Sequence, residues 1–195
     1  LWHGHAMTSL MLLTESGGPG NDHRHYHKCG WSNLEAMLSR LPKTRRADLW
    51  EPVVDVGHPK RSHLLPPMSL DDFKELVADC HFLDRRDEPL VVHIYERSLH
   101  RALGGADALR CDRAGWGDQE LETLRFSLPL CANLRSLGLA HNTFQATGFI
   151  AFSQALGRGA LPNLRILNLN GNDQVNDWRG ALLAFAAASL ISSYD

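Results

Sequence analysis

The sequence predicts an α/β fold whose second half is a short solenoid of about three repeats, parallel strands with outer helices. Three observations carry this reading. A nine-residue signature, Leu134-x-x-Leu137-x-Leu139-x-x-Asn142, returns 30 residues later as Leu164-x-x-Leu167-x-Leu169-x-x-Asn172 with every position matched. A partial copy stands 28 residues earlier as Leu109-x-Cys111, with Ala114 in the place of the asparagine. Between copies, Leu121, Leu124 and Leu128, then Phe149, Phe152 and Leu156, recur at helical spacing, each run followed by a loop with Pro129 or Pro162. Such a period marks units that bury their apolar faces only by stacking on neighbours.

Punctuation divides the chain into 1–67, 68–104 and 105–195. The first segment holds six of the nine prolines and seven of the eleven histidines, which predicts an extended, irregular N-terminal arm. One short helix fits at 33–41, with Leu34, Met37, Leu38 and Leu41 on one face, Ser32 as N-cap and Pro42 as the stop. A short strand fits at 52–56. Trp2, Trp31, Trp50 and Leu64-Leu65 follow no sustained period, so the arm is expected to pack on a partner rather than form a core of its own.

Segment 68–104 reads as a helical pair capping the N-terminal end of the repeats. Ser69 caps a run in which Leu70, Phe73, Leu76, Val77 and Cys80 share a face, and Asp71 and Asp72 sit where the helix dipole favours negative charge. The second helix starts at Asp87-Glu88-Pro89 and stops at Gly104-Gly105. In the repeats, Leu137, Leu139, Leu167 and Leu169 point between strand and helix, and the asparagine amides satisfy backbone groups where the chain leaves the sheet. Trp116 holds the position of Phe144 and reads as core, whereas the role of Trp178 stays open. The apolar run 181–191 reads as a buried helix, too short to span a bilayer.

The repeat resembles leucine-rich repeat proteins, and its 28 to 30 residue period with a full helix per unit is similar to the ribonuclease-inhibitor class. The resemblance covers Ala106 to the C-terminus. It implies a curved leucine-rich repeat solenoid with its parallel sheet inside the curve, used for protein–protein contact. The cadence Leu70-x-x-Phe73 … Asp79-Cys80 … Leu83-Asp84 is similar to the EF-hand-like helix pair of the tubulin polymerisation promoting family. No calcium is expected at 84–89, because Asp84-Arg85-Arg86-Asp87-Glu88-Pro89 lacks alternating oxygen ligands and a glycine at the sixth position.

Composition excludes several classes. Lys and Arg number 20 against 22 Asp and Glu, so no net field favours nucleic acid as the main ligand. The four cysteines form no CxxC pair, which fits reduced thiols inside a cell or organelle rather than a secreted chain. Met7 to Leu13 is too short and lacks the basic flank of a secretory signal. A leading Leu is read as the start of a processed chain or of a fragment.

The sharpest chemical motif is His23-Arg24-His25-Tyr26-His27-Lys28-Cys29. His23, His25, His27 and Cys29 alternate onto one side of an extended segment, a zinc or copper ligand set, but such a face spans ~20 Å and does not converge on one ion. No structural metal and no cofactor are expected. The G-x-S-x-G, P-loop and H-E-x-x-H motifs are absent, and the adjacent Cys80-His81 lack the facing geometry of a nucleophile and base. No catalytic residue is assigned.

The expected contact stripe consists of the residues between core leucines, Ala108, Arg110, Asp112, Ser136, Gly138, Ala140, Ile166, Asn168 and Asn170, with His141 at its margin. On the arm, Trp2, Trp31, Arg45, Arg46 and Trp50 are further contact candidates. The expected function is a noncatalytic protein-interaction module, an accessory or scaffold subunit of a larger intracellular or organellar assembly. A metal-binding protein centred on the N-terminal histidines and a cytoskeletal adaptor are the alternatives.

Overall fold

A computed structural model describes residues 11–12, 28–42, 54–55, 65–157, 159–173 and 183. Met11–Leu12 (β1) pairs in parallel with Val54–Asp55 (β2), which falls inside the strand expected at 52–56. Helix Gly30–Ser39 (α1) lies between these two strands in the chain, and helices Leu70–Ala78 (α2) and Asp87–Gly105 (α3) follow them. Helix α1 begins three residues before the expected start, with Cys29 rather than Ser32 as its N-cap. The cause is tertiary. His81 N donates to Lys28 O at 2.6 Å and Gly30 N to His81 O at 3.2 Å, which holds Cys29 extended and lets the helix start at once. The Phe82 ring lies over Gly30, in the space a Cβ there would fill, so a larger residue at 30 displaces that ring.

Ser69 caps α2 as its sequence position requires, its Oγ accepting from Asp72 N at 3.1 Å. Helix α3 starts and stops at the expected residues. Phe73 of α2 stacks on Tyr95 of α3 with ring centroids 4.0 Å apart, and the Tyr95 hydroxyl donates to Met68 O at 2.7 Å. That hydroxyl is held neutral far beyond the ordinary tyrosine range by burial, with Arg40 pulling the other way.

The apolar face of α1, Leu34, Met37, Leu38 and Leu41, is buried in one continuous core with Phe73, Val77, Val91, Tyr95 and Leu99. Residues 30–41 therefore belong to the chain's own core, a correction to the reading of 1–67 as a partner-bound arm. An amphipathic stripe this regular finds its cover locally, on α3. Trp31 is drawn in as well. It packs against the core and its Nε1 donates to Asp87 Oδ2 at 3.0 Å, so it is no free contact residue. The arm's end is also tied, with Pro66 and Pro67 buried and Pro67 O accepting from Ser127 Oγ at 3.2 Å.

The second half holds a parallel sheet in the order β3 (Ala108–Arg110), β4 (Ser136–Gly138), β5 (Ile166–Asn168). Leu109 pairs with Leu137, and Leu137 with Leu167, so the 28 and 30 residue offsets reappear as hydrogen-bonded register. Helix α4 (Asp118–Ser127) and a 3-10 turn at Leu128–Leu130 join β3 to β4, and α5 (Ala146–Gly157) joins β4 to β5. Leu121, Leu124 and Leu128 of the first connection and Phe149 and Phe152 of the second are buried against the leucines of the sheet. Trp116 and Phe144 are both buried, and Phe144 stacks on Phe149 with centroids 6.3 Å apart. Burial falls off along the stack: Leu137 and Leu139 are fully buried, whereas Leu167 and Leu169 are only partly so. The expected helix at 181–191 and Trp178 lie outside the described residues, Leu183 excepted.

Candidate protein-interaction face

Successive side chains of a strand alternate between faces, so the leucines of the sheet turn toward α4 and α5 and the residues between them turn away. Each strand ends at a left-handed residue, Arg113 at φ 58°, His141 at 54° and Gly171 at 68°, spaced by the same two offsets. Arg113 N donates to Ala140 O at 2.8 Å and His141 N to Asn170 O at 2.7 Å, so the stack holds two non-glycine residues in a conformation that costs about 1–2 kcal/mol each. At the third position a Cβ on Gly171 would lie 2.3 Å from His141 Nδ1, which shows the imidazole lying over this glycine.

Behind these turns the buried asparagines form a ladder. Asn142 Nδ2 donates to Cys111 O at 2.8 Å and Leu139 O at 2.9 Å, while its Oδ1 accepts from Trp116 N at 3.0 Å. Asn172 repeats the pattern one step on, donating to Leu139 O at 3.0 Å and Leu169 O at 2.7 Å and accepting from Asn142 N at 2.9 Å. A second, exposed pair joins the other end of the strands: Asn133 Nδ2 donates to Gly104 O and Asn163 Nδ2 to Ala132 O, again 30 residues apart.

Of the expected stripe, Gly138 and Ala140 are drawn inward. Both are buried, because the Asp112 carboxylate folds across from the preceding strand, accepting from Ala140 N at 2.8 Å and lying where a Gly138 Cβ would be. An N–H leaving the sheet needs an acceptor, and Asp112 supplies it. One strand further, Ala140 has no acceptor to offer, and Asn168 Oδ1 accepts from Asn170 N at 3.2 Å instead. Arg110, His141 and Asn170 are exposed, Ser136 and Asn168 partly so, and Ile166 is 60% exposed. Beside Asp112, these residues leave a nearly neutral face with an apolar point at β5, one of the two edge strands of this sheet among the described residues.

Sequence reasoning places Asp112 in the stripe without its role as an acceptor for Ala140 N, and it misses Asp118 altogether. Asp118 Oδ1 accepts from Gln145 N at 2.7 Å and its Oδ2 from Thr147 Oγ1 at 2.9 Å, so it caps the next helix rather than its own. The only sequence signal for it is a carboxylate one turn-length after the strand. The shallow, open depression around Asp118, Glu122, Thr123 and Thr147 is lined by this structural carboxylate. In the α2–α3 loop, Asp84 accepts from the Arg86 side chain through both carboxylate oxygens, which with the Arg86 backbone N–H lowers its pKa.

Trp2, Arg45, Arg46, Trp50, His23, His25 and His27 lie outside the described residues. Among the described residues no three His, Cys, Asp or Glu side chains are placed to hold a metal ion, and no helix is long and apolar enough to cross a membrane. No protein family, characterised protein or solved structure matches the chain at a significant level.

Proposed function

We propose that the second half of the chain is a short leucine-rich repeat solenoid of the ribonuclease-inhibitor-like kind and that it serves as a noncatalytic protein-interaction module. In this reading the chain is an accessory or scaffold subunit of a larger intracellular assembly. The observation that carries the reading is the open side of the three-stranded sheet: Arg110 and Asp112 nearly cancel in charge there, Ser136, Ile166 and Asn168 are uncharged, and the strands are held in register by the asparagine ladder behind them. A surface so fixed costs little ordering entropy on binding and offers Ile166 as an apolar anchor. The motif-free sequence and the engagement of Asp112 and Asp118 in backbone capping support the noncatalytic half of the reading.

Ile166→Arg and Asn168→Arg in the full chain test it. Neither side chain belongs to the fully buried core, so each change is expected to leave stability within about 0.5–1 kcal/mol. Co-purification with the native partner should fall at least about tenfold, the effect of losing a central contact. Unchanged co-purification with both variants would place the contact elsewhere.

A further inference from the structure

We infer that Cys29 and Cys80 form an oxidisable dithiol that closes to a disulfide under peroxide, with Cys29 the attacking sulfur and Cys80 the resolving one. The evidence is geometric. Cys29 is bridged in parallel to His81, the residue directly after Cys80, so the two cysteine backbones run side by side one residue out of register. Closing a disulfide needs their Cα atoms about 4.4–6.8 Å apart. One side-chain amide links the two residues: Asn33 Nδ2 donates to Cys29 O at 3.1 Å and to Cys80 Sγ at 3.2 Å. The sequence keeps them 51 residues apart, so only the docking of α1 on the end of α2 brings them together.

Their surroundings divide the roles. Cys29 is half-exposed at the N-cap of a ten-residue helix. Burial pushes its thiol up, but the Ser32 backbone and hydroxyl and the Trp31 backbone N–H outweigh this and leave it more acidic than an ordinary thiol. Cys80 is buried and its thiol is raised, by burial first and against the pull of Asn33. The remaining two thiols are buried in the second half; Cys131 is pushed up to about 12 and Cys111 also well above the ordinary value, both by desolvation.

The chemistry balances with hydrogen peroxide as the two-electron oxidant. The Cys29 thiolate attacks one peroxide oxygen, the O–O bond breaks, and hydroxide leaves to become water, giving a sulfenic acid. Cys80 then attacks the Cys29 sulfur as its proton departs; the S–O bond breaks and a second water leaves. The product is a staple between α1 and the α2–α3 loop, reversible by any reducing thiol. It is independent of the repeat-face reading, since none of its residues lies in the sheet.

The test is peptide mapping of the full chain after brief hydrogen peroxide treatment and acid quench. The expected result is a Cys29–Cys80 cross-linked peptide lighter by two hydrogens, with Cys111 and Cys131 still alkylatable. In Cys80→Ser the sulfenic acid has no resolving partner, and dimedone capture at Cys29 should rise about fivefold over the unsubstituted chain. An intact Cys80 thiol beside an over-oxidised or unreacted Cys29, a cross-link to Cys111 or Cys131, or equal dimedone capture in both chains would overturn the inference. If Cys80→Ser does not fold, the peptide map of the unsubstituted chain decides alone.

Discussion

Asn142→Ala is expected to destabilise the protein by about 3–5 kcal/mol, because it strands more than one buried backbone group. Its Oδ1 is the acceptor for Trp116 N, and its Nδ2 is the donor to Cys111 O, both in the buried interior. Leu139 O keeps a donor in Asn172, so that carbonyl is spared. Two groups losing a partner at about 1–3 kcal/mol each span about 2–6 kcal/mol, and the expected loss lies in the middle of that span. Asn163→Ala is the control: the residue is exposed, makes one hydrogen bond to Ala132 O, and should cost under about 1 kcal/mol. Urea unfolding of the two variants checks both values, and equal small losses would remove the ladder from the account.

Leu139→Ala is expected to cost about 3–5 kcal/mol and Leu169→Ala only about 1–2 kcal/mol. The two leucines are equivalent in sequence, 30 residues apart, and the offset alone predicts equal losses. Burial separates them: Leu139 is fully enclosed, whereas Leu169, directly after the last described strand, is partly exposed. A cavity at Leu139 has walls on every side, and the site of Leu169 relaxes toward solvent. Denaturant midpoints for the pair check the asymmetry. A loss under about 0.5 kcal/mol for Leu139→Ala, the range of a surface change, would contradict its place in the core.

Much of the local structure is legible because it is written in neighbouring residues. Ser69 before an apolar face, Asp87-Glu88-Pro89 at a helix start and Gly104-Gly105 at its end act through contacts a few residues long, and α2 and α3 follow them. The strand register is legible for a different reason: the repeated leucines and asparagines encode a long-range pairing in a local signature, and Leu109, Leu137 and Leu167 pair accordingly. Where two distant segments meet without such a signature, sequence reasoning fails. Ser32 is the better N-cap by residue type, yet the His81 bridge fixes the start of α1 at Gly30. Trp31 looks like an exposed aromatic until Asp87, 56 residues away, receives its indole N–H.

The candidate face was readable in outline and wrong in detail for the same reason. Period-two alternation assigns Gly138 and Ala140 to the side of the sheet away from the helices, but it carries no information on which neighbour folds over them. Asp112 does so because an N–H at the edge of the sheet needs an acceptor, and the repeat before it happens to hold a carboxylate there. Asn133 and Asn163, which sequence reasoning does not single out, stand in a repeated Asn-Leu pair whose spacing carries no information on the carbonyls they reach, Gly104 O and Ala132 O.

Site-directed photo-cross-linking tests the interaction reading most directly. A photo-reactive residue is placed at Asn168 or Arg110, on the open side of the sheet, and in a separate chain at Glu122, on the helix α4 that covers the other side. The account predicts that positions 168 and 110 capture the same neighbouring protein in the native assembly and that position 122 does not. Capture from position 122 with none from 168 or 110 would contradict it.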